Sequence, residues 1–466
     1  MASFFSVIVD GLDALFDQPK QQGFKAEFGS ETDIASSFNK GFLISKNRKL
    51  TRRKSFENLL ISGPTGSGKT TRLLLKTLYE LKNCSLVVND PSKELYLLSS
   101  GYLTKYFDIQ TLNFSDSKIS SGYNILSRIQ KPTDIHKIAH MLVASTLEKG
   151  SNGDPFWSLQ TKNLLSIFIR LVQFQDVEFR TMANVLYILN VFAVKHKVVD
   201  GWILETKDKN LILEYKAVIT TPEKTLQNIT ATCKAALQLF SDPEIAKVTS
   251  CDSIIFSALR QKPTIIFLHN SISNMKYTST LNAIFFEQLY HHILENLPHK
   301  NELDLFIMLE EASSLYIPIL STAIANTRKH RVGNIICVQS PAQLEHFYYK
   351  DAQNITANCV SKIFLPGISS LEILRELETL GGKTNYIDEK GHEKTKSLIT
   401  IDEIRLLEEN RTLILSGNNR FILGRTSPYY RSFTYKRRSR IPPLPLKSDI
   451  QNTPIRLLGD THEASK

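Results

Sequence analysis

The sequence predicts an α/β protein with a mainly parallel, twisted sheet and an inserted all-α domain. Short apolar runs alternate with helix-like stretches over residues 59–145, which is the rhythm of a doubly wound sheet. Helical patterns then fill residues 154–249. Strand-like runs resume at Thr264–Leu268 and continue to Lys362–Leu365. A strand pattern interrupted in this way indicates one α/β domain that carries a helical insertion.

The most specific motif is a glycine-rich loop between the apolar run at 59–61 and a helix with a wide apolar face. It matches G-x-x-x-x-G-K-[ST] in full, and with the next residue it comprises Gly63, Pro64, Thr65, Gly66, Ser67, Gly68, Lys69, Thr70 and Thr71. Backbone N–H groups of such a loop cradle phosphate oxygens, and the following helix adds its positive N-terminal end. We expect Lys69 to contact the β- and γ-phosphates and Thr70 to bind Mg²⁺. The motif therefore predicts a site for ATP and Mg²⁺.

Polar residues also follow two later strand-like runs. Glu310 and Glu311 come directly after residues 305–309, and Gln339 follows residues 334–338. Ligands of open α/β sheets bind beyond the carboxyl ends of the strands. Glu310 is therefore the candidate metal carboxylate and Glu311 the candidate that orients an attacking water. On its own, a strand followed by two glutamates is equally typical of a solvated helix start.

Two further candidates have ordinary alternatives of equal weight. Gln339 is a candidate sensor of the γ-phosphate, or an amide that satisfies the backbone at the strand end. Arg328 belongs to the basic run 328–331, which lies between the acidic pair and Gln339. In a ring ATPase such a residue reaches the γ-phosphate of the neighbouring subunit as an arginine finger. The alternative is a solvated helix end, where cations suit the helix dipole.

The composition is that of a soluble globular protein with a basic balance. The chain has 466 residues and a net charge of +11, from 57 Lys and Arg against 46 Asp and Glu. This excess suits a polyanionic partner such as nucleic acid or an anionic membrane face. The five cysteines have no C-x-x-C spacing and are predicted to be reduced thiols of a cytosolic protein. No apolar run is as long as a spanning helix requires, and residues 4–16 are predicted to form a surface helix.

Several separated stretches together resemble the type IV secretion coupling proteins of the TraG/TraD kind, over about residues 57–430. They are the phosphate loop, Val88–Leu95, Asp154–Trp157, Met308–Ser313, Val338–Leu344, Asn358 and Pro428–Tyr430. The resemblance implies a RecA-like P-loop nucleotide-binding domain with an all-α insertion. It also implies ATP-driven passage of single-stranded DNA and its attached relaxase into a type IV secretion channel by a homo-hexamer. Carried over by position, the resemblance gives Glu311 the catalytic role, Gln339 the sensor role and Arg328 the trans-acting role.

These expectations divide the chain into four parts. Residues 1–56 are an N-terminal segment, residues 57–153 and 250–434 form the nucleotide-binding domain, and residues 154–249 form the all-α domain. Residues 435–466 are a basic, proline-containing tail that we expect to be poorly ordered.

Two departures from the family pattern leave alternatives open. Glu310 stands where the family usually has Asp, and the two N-terminal membrane helices of the family are not seen. We therefore expect a cytoplasmic protein that docks peripherally at the inner membrane, with a separate anchor protein as one means. The alternatives in function are a nucleotide-gated adaptor for protein effectors with weak hydrolysis, or a double-stranded DNA translocase of the FtsK/HerA kind.

Overall fold

The computed structural model describes residues 25–146, 155–269, 275–387, 389–450 and 457–458. Its strands are β1 Leu59–Ser62, β2 Cys84–Asn89, β3 Asp108–Leu112, β4 Thr264–Leu268, β5 Asp304–Leu309, β6 Val332–Val338, β7 Ser361–Phe364, β8 Lys383–Ile387, β9 Glu393–Ser397, β10 Arg411–Ser416 and β11 Ile422–Arg425. Nine of them form one sheet in the order β11-β10-β7-β1-β6-β5-β2-β4-β3. The strands from β7 to β3 pair in parallel, and β10 and β11 add an antiparallel margin. The predicted mainly parallel sheet is confirmed.

The helices cover both faces of this sheet and form the insertion. They are α1 Arg52–Ser55, α2 Leu75–Glu80, α3 Glu94–Leu103, α4 Pro132–Thr146, α5 Pro155–Gln173, α6 Met182–Glu205, α7 Lys209–Ile219, α8 Glu223–Leu237, α9 Pro243–Val248, α10 Met275–Glu295, α11 Leu320–Asn326, α12 Ala342–Tyr348, α13 Lys350–Ala357, α14 Leu371–Gly381, α15 Ile401–Arg405 and α16 Phe433–Ser439. From α5 to α9 the described chain contains no strand. The predicted surface helix at 4–16 and the predicted boundary at 153–154 lie outside the described residues.

The sheet register determines which residues share an edge. Strands β1, β2, β5 and β6 are mostly apolar and are buried along their whole length, as expected for a sheet covered on both faces. In the parallel pairings, Ser62 lies opposite Val338 and Asn89 lies opposite Leu309. The residues that follow these four strands therefore leave the sheet at one common edge, which we call the carboxyl edge.

Helix α6 is unusually long and apolar. Among the described residues it is the one helix long and apolar enough to cross a membrane, and half of its most apolar window is buried inside the protein. Its Asn184 side chain accepts a hydrogen bond from the backbone N–H of Leu458 at 3.0 Å, and Leu458 is itself buried. A core helix of a helical domain meets the same length and composition criteria, so these properties assign no membrane insertion.

The prediction of a poorly ordered tail is wrong for residues 435–450. Helix α16 packs on α3, and the chain beyond it lies along the same helix. The Tyr96 hydroxyl donates to the Leu444 carbonyl at 2.9 Å. A Cβ on Gly101 would lie 2.0 Å from the Pro442 carbonyl oxygen, so this close contact requires glycine. The tail is therefore held by the chain's own helix, which no pattern within the tail could indicate.

Candidate nucleotide site

The phosphate loop connects β1 to a helical segment and depends on its glycines. Gly66 and Gly68 have φ values of +83° and +90°, in the left-handed region that favours glycine. A Cβ on Gly63 would lie 2.7 Å from the Ser67 Oγ and 2.8 Å from the Leu365 Cβ. Glycine is therefore required at 63 by close packing and at 66 and 68 by backbone conformation.

The helix after the loop begins with a π-helical segment at Lys69–Leu74, in which the N–H of Leu75 donates to the carbonyl of Thr70. Single π-helical turns are rare and occur frequently at functional sites. This turn carries Lys69, Thr70 and Thr71, and the Thr71 hydroxyl lies 3.5 Å from the Gly68 carbonyl oxygen. The three predicted ligand residues that follow the glycines thus share one wide helical turn.

The Lys69 ammonium lies across the mouth of the loop. It donates to the carbonyl oxygens of Gly63 at 2.6 Å and Pro64 at 3.3 Å. Burial lowers the pKa of Lys69 below its ordinary value, and the charges of Glu310 and Glu311 are among those that oppose this shift. Because an anion is a stronger partner than a neutral carbonyl, a phosphate group at the loop would compete for this ammonium.

Thr70 and Glu310 are brought together as predicted for metal ligands, with the Thr70 hydroxyl donating to the Glu310 carboxylate at 2.5 Å. Glu310 is buried, and its second carboxylate oxygen, Oε2, has no partner among the described residues. Burial raises the pKa of Glu310 to about 8. An oxygen-only donor set of hydroxyl and carboxylate suits Mg²⁺, and a cation here would engage the unpartnered oxygen. The residues present therefore fit a magnesium ion.

Glu311 turns sharply away from β5. Its φ and ψ are 55° and 52°, in the left-handed region that non-glycine residues rarely adopt. Its carbonyl accepts from the Ser314 N–H at 2.9 Å, which holds the turn, and its side chain is half-buried. Such strain persists where the surrounding structure enforces it, frequently at active sites. The two carboxylates thus leave one strand in different environments, Glu310 buried and Glu311 partly open to solvent.

Gln339 also lies at the carboxyl edge, but it is exposed and paired with its own helix. Its side-chain oxygen accepts from the side-chain amide N–H of Gln343 at 3.3 Å, and its backbone N–H donates to the side-chain oxygen of Gln343 at 3.2 Å. Since β6 lies next to β1 in the sheet, Gln339 and the phosphate loop follow neighbouring strands.

Arg328 lies at the other end of the sheet. It precedes β6, and the seven residues of that strand separate it from Gln339. A strand of this length spans roughly 20 Å, so Arg328 does not reach the phosphate loop of its own chain. Its guanidinium pairs with Glu57 at 3.0 Å and its side chain is 57% exposed. A role for Arg328 in hydrolysis therefore requires a second subunit.

The structure adds two buried residues to the carboxyl edge, Asp90 and His269, and Asp90 lies in the stretch Val88–Leu95 that carries part of the family resemblance. Asp90 follows β2, accepts from the N–H of Tyr96 at 2.8 Å, and has its pKa raised to about 7 by burial. His269 follows β4, with its Nδ1 3.9 Å from a carboxylate oxygen of Asp90. Burial lowers the pKa of His269 to about 4, so this imidazole is neutral. The signal for His269 in the sequence is its place directly after a strand.

Arg72 was not predicted and lies against the loop. It is buried, and a Cβ on Gly68 would lie 2.6 Å from its Nε. Its guanidinium is 3.7 Å from the exposed carboxylate of Glu409. This arginine fills the space that Gly68 leaves open and supplies a second cation beside Lys69.

The chain matches a known protein family over most of its length. Residues 25–448 match the family described as Type IV secretory system Conjugative DNA transfer. The chain is 24% identical over 222 residues to protein VirD4 of Rhizobium radiobacter, in a match that covers 43% of this chain and 32% of VirD4.

The fold is similar to solved structures of a coupling protein. The bacterial conjugative coupling protein TrwBdeltaN70, in complex with sulphate, has a TM-score of 0.69 at 18% identity, covering 89% of this chain and 95% of that one. TrwB in complex with ADP and Mg²⁺ has a TM-score of 0.67 at 17% identity, covering 93% and 96%. VirB4 of Thermoanaerobacter pseudethanolicus has a TM-score of 0.52 at 12% identity, covering 89% and 100%. The predicted RecA-like fold with an all-α domain is confirmed, and the chain belongs to the type IV secretory system conjugative DNA transfer family.

Proposed function

We propose that the protein is an ATP-driven coupling protein that recruits relaxase-bound single-stranded DNA and passes it to a type IV secretion channel. The observation that carries the proposal is the contact between Thr70 and the buried Glu310 beside an intact phosphate loop. This pairing joins a phosphate-binding element to a carboxylate from another strand, as nucleotide hydrolysis requires. TrwB, which has a similar fold, was solved with ADP and Mg²⁺.

Each residue of the site has a distinct task in this proposal. The loop N–H groups and Lys69 hold the β- and γ-phosphates, and Thr70 and Glu310 hold Mg²⁺. When bound between these two residues, Mg²⁺ would neutralise charge on the phosphates. Glu311, partly open to solvent, accepts a proton from the attacking water and orients it. Gln339 follows the neighbouring strand, where a change at the γ-phosphate is transmitted to α12.

Arg328 acts on the next subunit of a homo-hexamer in this proposal. Its distance from its own phosphate loop excludes action within one chain, and its exposed side chain is free to exchange Glu57 for an anion. We place this ring at the cytoplasmic side of the inner membrane, with the domain division at 57–153, 154–249 and 250–434 predicted from the sequence. The net charge of +11 supports a nucleic-acid cargo held through its backbone.

One observation favours a second candidate, a nucleotide-gated adaptor for protein effectors with weak hydrolysis. Glu310 is one methylene longer than the usual Asp, and burial raises its pKa to about 8, so it is largely protonated without a cation. A metal carboxylate that is difficult to ionise would slow turnover without preventing nucleotide binding.

The deciding experiment measures the ATPase rate with no DNA, with single-stranded DNA and with double-stranded DNA, alongside mass photometry for ring formation. The coupling-protein proposal expects stimulation by single-stranded DNA that Lys69→Ala and Glu311→Gln both abolish. Greater stimulation by double-stranded DNA would favour a translocase of the FtsK/HerA kind. Nucleotide-dependent relaxase capture that survives Glu311→Gln, without turnover, would favour the adaptor.

A further inference from the structure

The two-stranded hairpin of β8 and β9 lies outside the main sheet, between α14 and α15. One edge is covered, because the N–H of Ala26 donates to the carbonyl of Lys383 at 2.9 Å. Most of the hairpin's strand residues are exposed. A two-stranded hairpin has little stability of its own, so this one depends on contacts beyond its two strands.

One face of this hairpin places an aromatic ring beside two cations. In the antiparallel register Tyr386 lies opposite Lys394, and Thr384 lies opposite Lys396. Directly opposed residues point to the same side of a hairpin, so these four side chains share one face. The Lys396 ammonium lies 5.5 Å from the centroid of the Tyr386 ring, and Tyr386 is 41% exposed. We call this surface the Tyr386 face.

Charge is segregated between the two faces. All ten strand residues of the hairpin are described, and Glu393 is the one carboxylate among them. It lies on the opposite face, where it pairs with Lys25 at 3.0 Å and accepts from the Asn385 amide at 2.7 Å. The two charged residues at the strand positions of the Tyr386 face, Lys394 and Lys396, are therefore both lysines.

We propose that the Tyr386 face binds single-stranded nucleic acid, with Tyr386 stacking on a base and Lys394 and Lys396 contacting phosphates. Aromatic rings between cations are the usual means of holding a single strand without reading its sequence. The two lysines are two residues apart on one strand, about 7 Å, which is close to the phosphate spacing of an extended strand. This inference rests on the proposed function and names where the DNA strand is held.

Lysines on an exposed strand also have a structural explanation, since they discourage pairing between sheet edges. That explanation accounts for Lys394 and Lys396 and leaves the exposed Tyr386 ring beside them unexplained. Substitution of Tyr386 therefore distinguishes a nucleic-acid-binding surface from lysines that only prevent pairing between sheet edges.

The test measures the affinity of the full chain for a fluorescein-labelled oligothymidylate by anisotropy at several salt concentrations. Tyr386→Ala is expected to weaken binding by roughly 5- to 100-fold, the range for loss of one stacked base, and Tyr386→Phe to retain it. The double variant Lys394→Gln, Lys396→Gln should lower the slope of log affinity against log salt by about 1.4, or about 0.7 for each phosphate contact. The matched controls are Lys383→Gln and Ile387→Ala on the opposite face, which should bind as the wild type does.

The outcomes separate this inference from the proposed function. If the wild type binds the oligonucleotide and the Tyr386-face variants bind like the controls, the inference is wrong and the function stands. If the wild type binds no single-stranded DNA, the DNA-coupling function itself fails. If the same variants instead reduce binding to anionic vesicles or change the oligomeric state, the face serves a membrane or a neighbouring subunit, which overturns the inference. Nucleotide affinity and the melting temperature, unchanged in all variants, show that the fold is intact.

Discussion

Charged side chains have different environments at the carboxyl edge of the main sheet and at the opposite edge, where the parallel strands begin. At the carboxyl edge, Glu310 and Asp90 are buried carboxyls whose pKa values are raised by burial, and His269 is a buried imidazole whose pKa is lowered. Each shift disfavours the charged form. One oxygen of Glu310 and the Nε2 of His269 have no partner among the described residues. Both atoms are therefore available to interact with a bound ligand.

At the opposite edge, where the parallel strands begin, Asp304 and Arg328 are both paired with residues of opposite charge. Asp304 at the start of β5 accepts from Arg52 at 2.7 Å and from the Nε of Arg331 at 2.8 Å. Arg328 pairs with Glu57 at 3.0 Å. The difference teaches that burial alone does not mark a functional site in this protein. A buried carboxyl oxygen without a partner does: among the described residues Glu310 Oε2 is the one such oxygen, and leaving it unsatisfied costs stability that a bound cation can restore.

The largest expected effect is at the carboxyl edge. Lys69→Ala removes the ammonium that we place on the β- and γ-phosphates, and nucleotide affinity should fall by roughly 100-fold or more, the loss of two charge-assisted hydrogen bonds. Titration with a fluorescent ATP analogue measures this change. The matched control, Lys329→Ala, removes a lysine from the edge where the strands begin and should leave affinity unaltered. Equal affinities for the two variants would refute the assignment of the loop.

The next largest effect is expected on protein stability, at the edge where the parallel strands begin. Asp304→Ala leaves Arg52 and Arg331 without their shared carboxylate, whose side chain is 9% exposed. Because both arginines keep some contact with water, we expect a loss of about 2 kcal/mol in the free energy of unfolding rather than the full cost of a buried pair. Urea denaturation followed by circular dichroism measures it.

Nucleotide affinity is the second measurement for Asp304→Ala, and it should stay at the wild-type value. Asp108→Ala, which breaks the exposed pair with Lys262, is the control and should leave unfolding unchanged. If Asp304→Ala lost nucleotide binding but kept its stability, Asp304 would have a role in the nucleotide site and the proposed difference between the two edges would be wrong.

A smaller effect concerns pH. The folded-state pKa of Glu310, about 8, lies above the ordinary 4.5, so the folded protein binds the proton more tightly and loses stability as pH rises between these values. Asp90 acts in the same sense up to about pH 7, and His269 acts in the opposite sense from about pH 4 to its ordinary 6.5. Between pH 7 and 8, Glu310 is thus the main contributor of the three.

Glu310→Gln should therefore remove a decline of about 1 kcal/mol in unfolding free energy between pH 7 and pH 8. Urea midpoints at the two pH values, without nucleotide or divalent cation, provide the measurement. Asp90→Asn serves as the comparison: a group with a pKa of about 7 is already half titrated at pH 7, so this variant should keep most of the wild-type decline. An identical decline in Glu310→Gln would show that this carboxyl is ionised in the folded protein.

The strands of the main sheet could be predicted from the sequence because short local patterns of apolar residues encode them. The strand predicted at 305–309 occupies 304–309, and the one predicted at 334–338 occupies 332–338, since continuous apolar runs encode burial on both faces. Strand order then places Glu310 and Gln339 at one edge. The contact of Thr70 with Glu310 follows from that edge rule.

Features that depend on distant packing were not foreseeable in the same way. The tail looked unsuited to packing because its own residues are basic and proline-rich. Its place against α3 depends on Gly101 and Tyr96, more than three hundred residues earlier. The burial of Arg72 could not be predicted for a similar reason. In the sequence it looks like a solvent-exposed arginine on an apolar helix, and its contact with the open space at Gly68 becomes clear only in the folded structure.

The smallest effect within one chain is expected at Arg328. Its pair with Glu57 is 57% exposed on the arginine side, so Arg328→Ala should change stability by less than about 1 kcal/mol and leave nucleotide affinity unaltered. If Arg328 completes the site of a neighbouring subunit, the same variant should abolish hydrolysis. Mixing Arg328→Ala with Lys69→Ala decides the matter: each is inactive alone, and a mixed ring restores activity wherever an intact phosphate loop faces an intact arginine. Full activity of Arg328→Ala alone would return this residue to a purely structural role, because a side chain about 20 Å from its own phosphate loop has no other route to the chemistry.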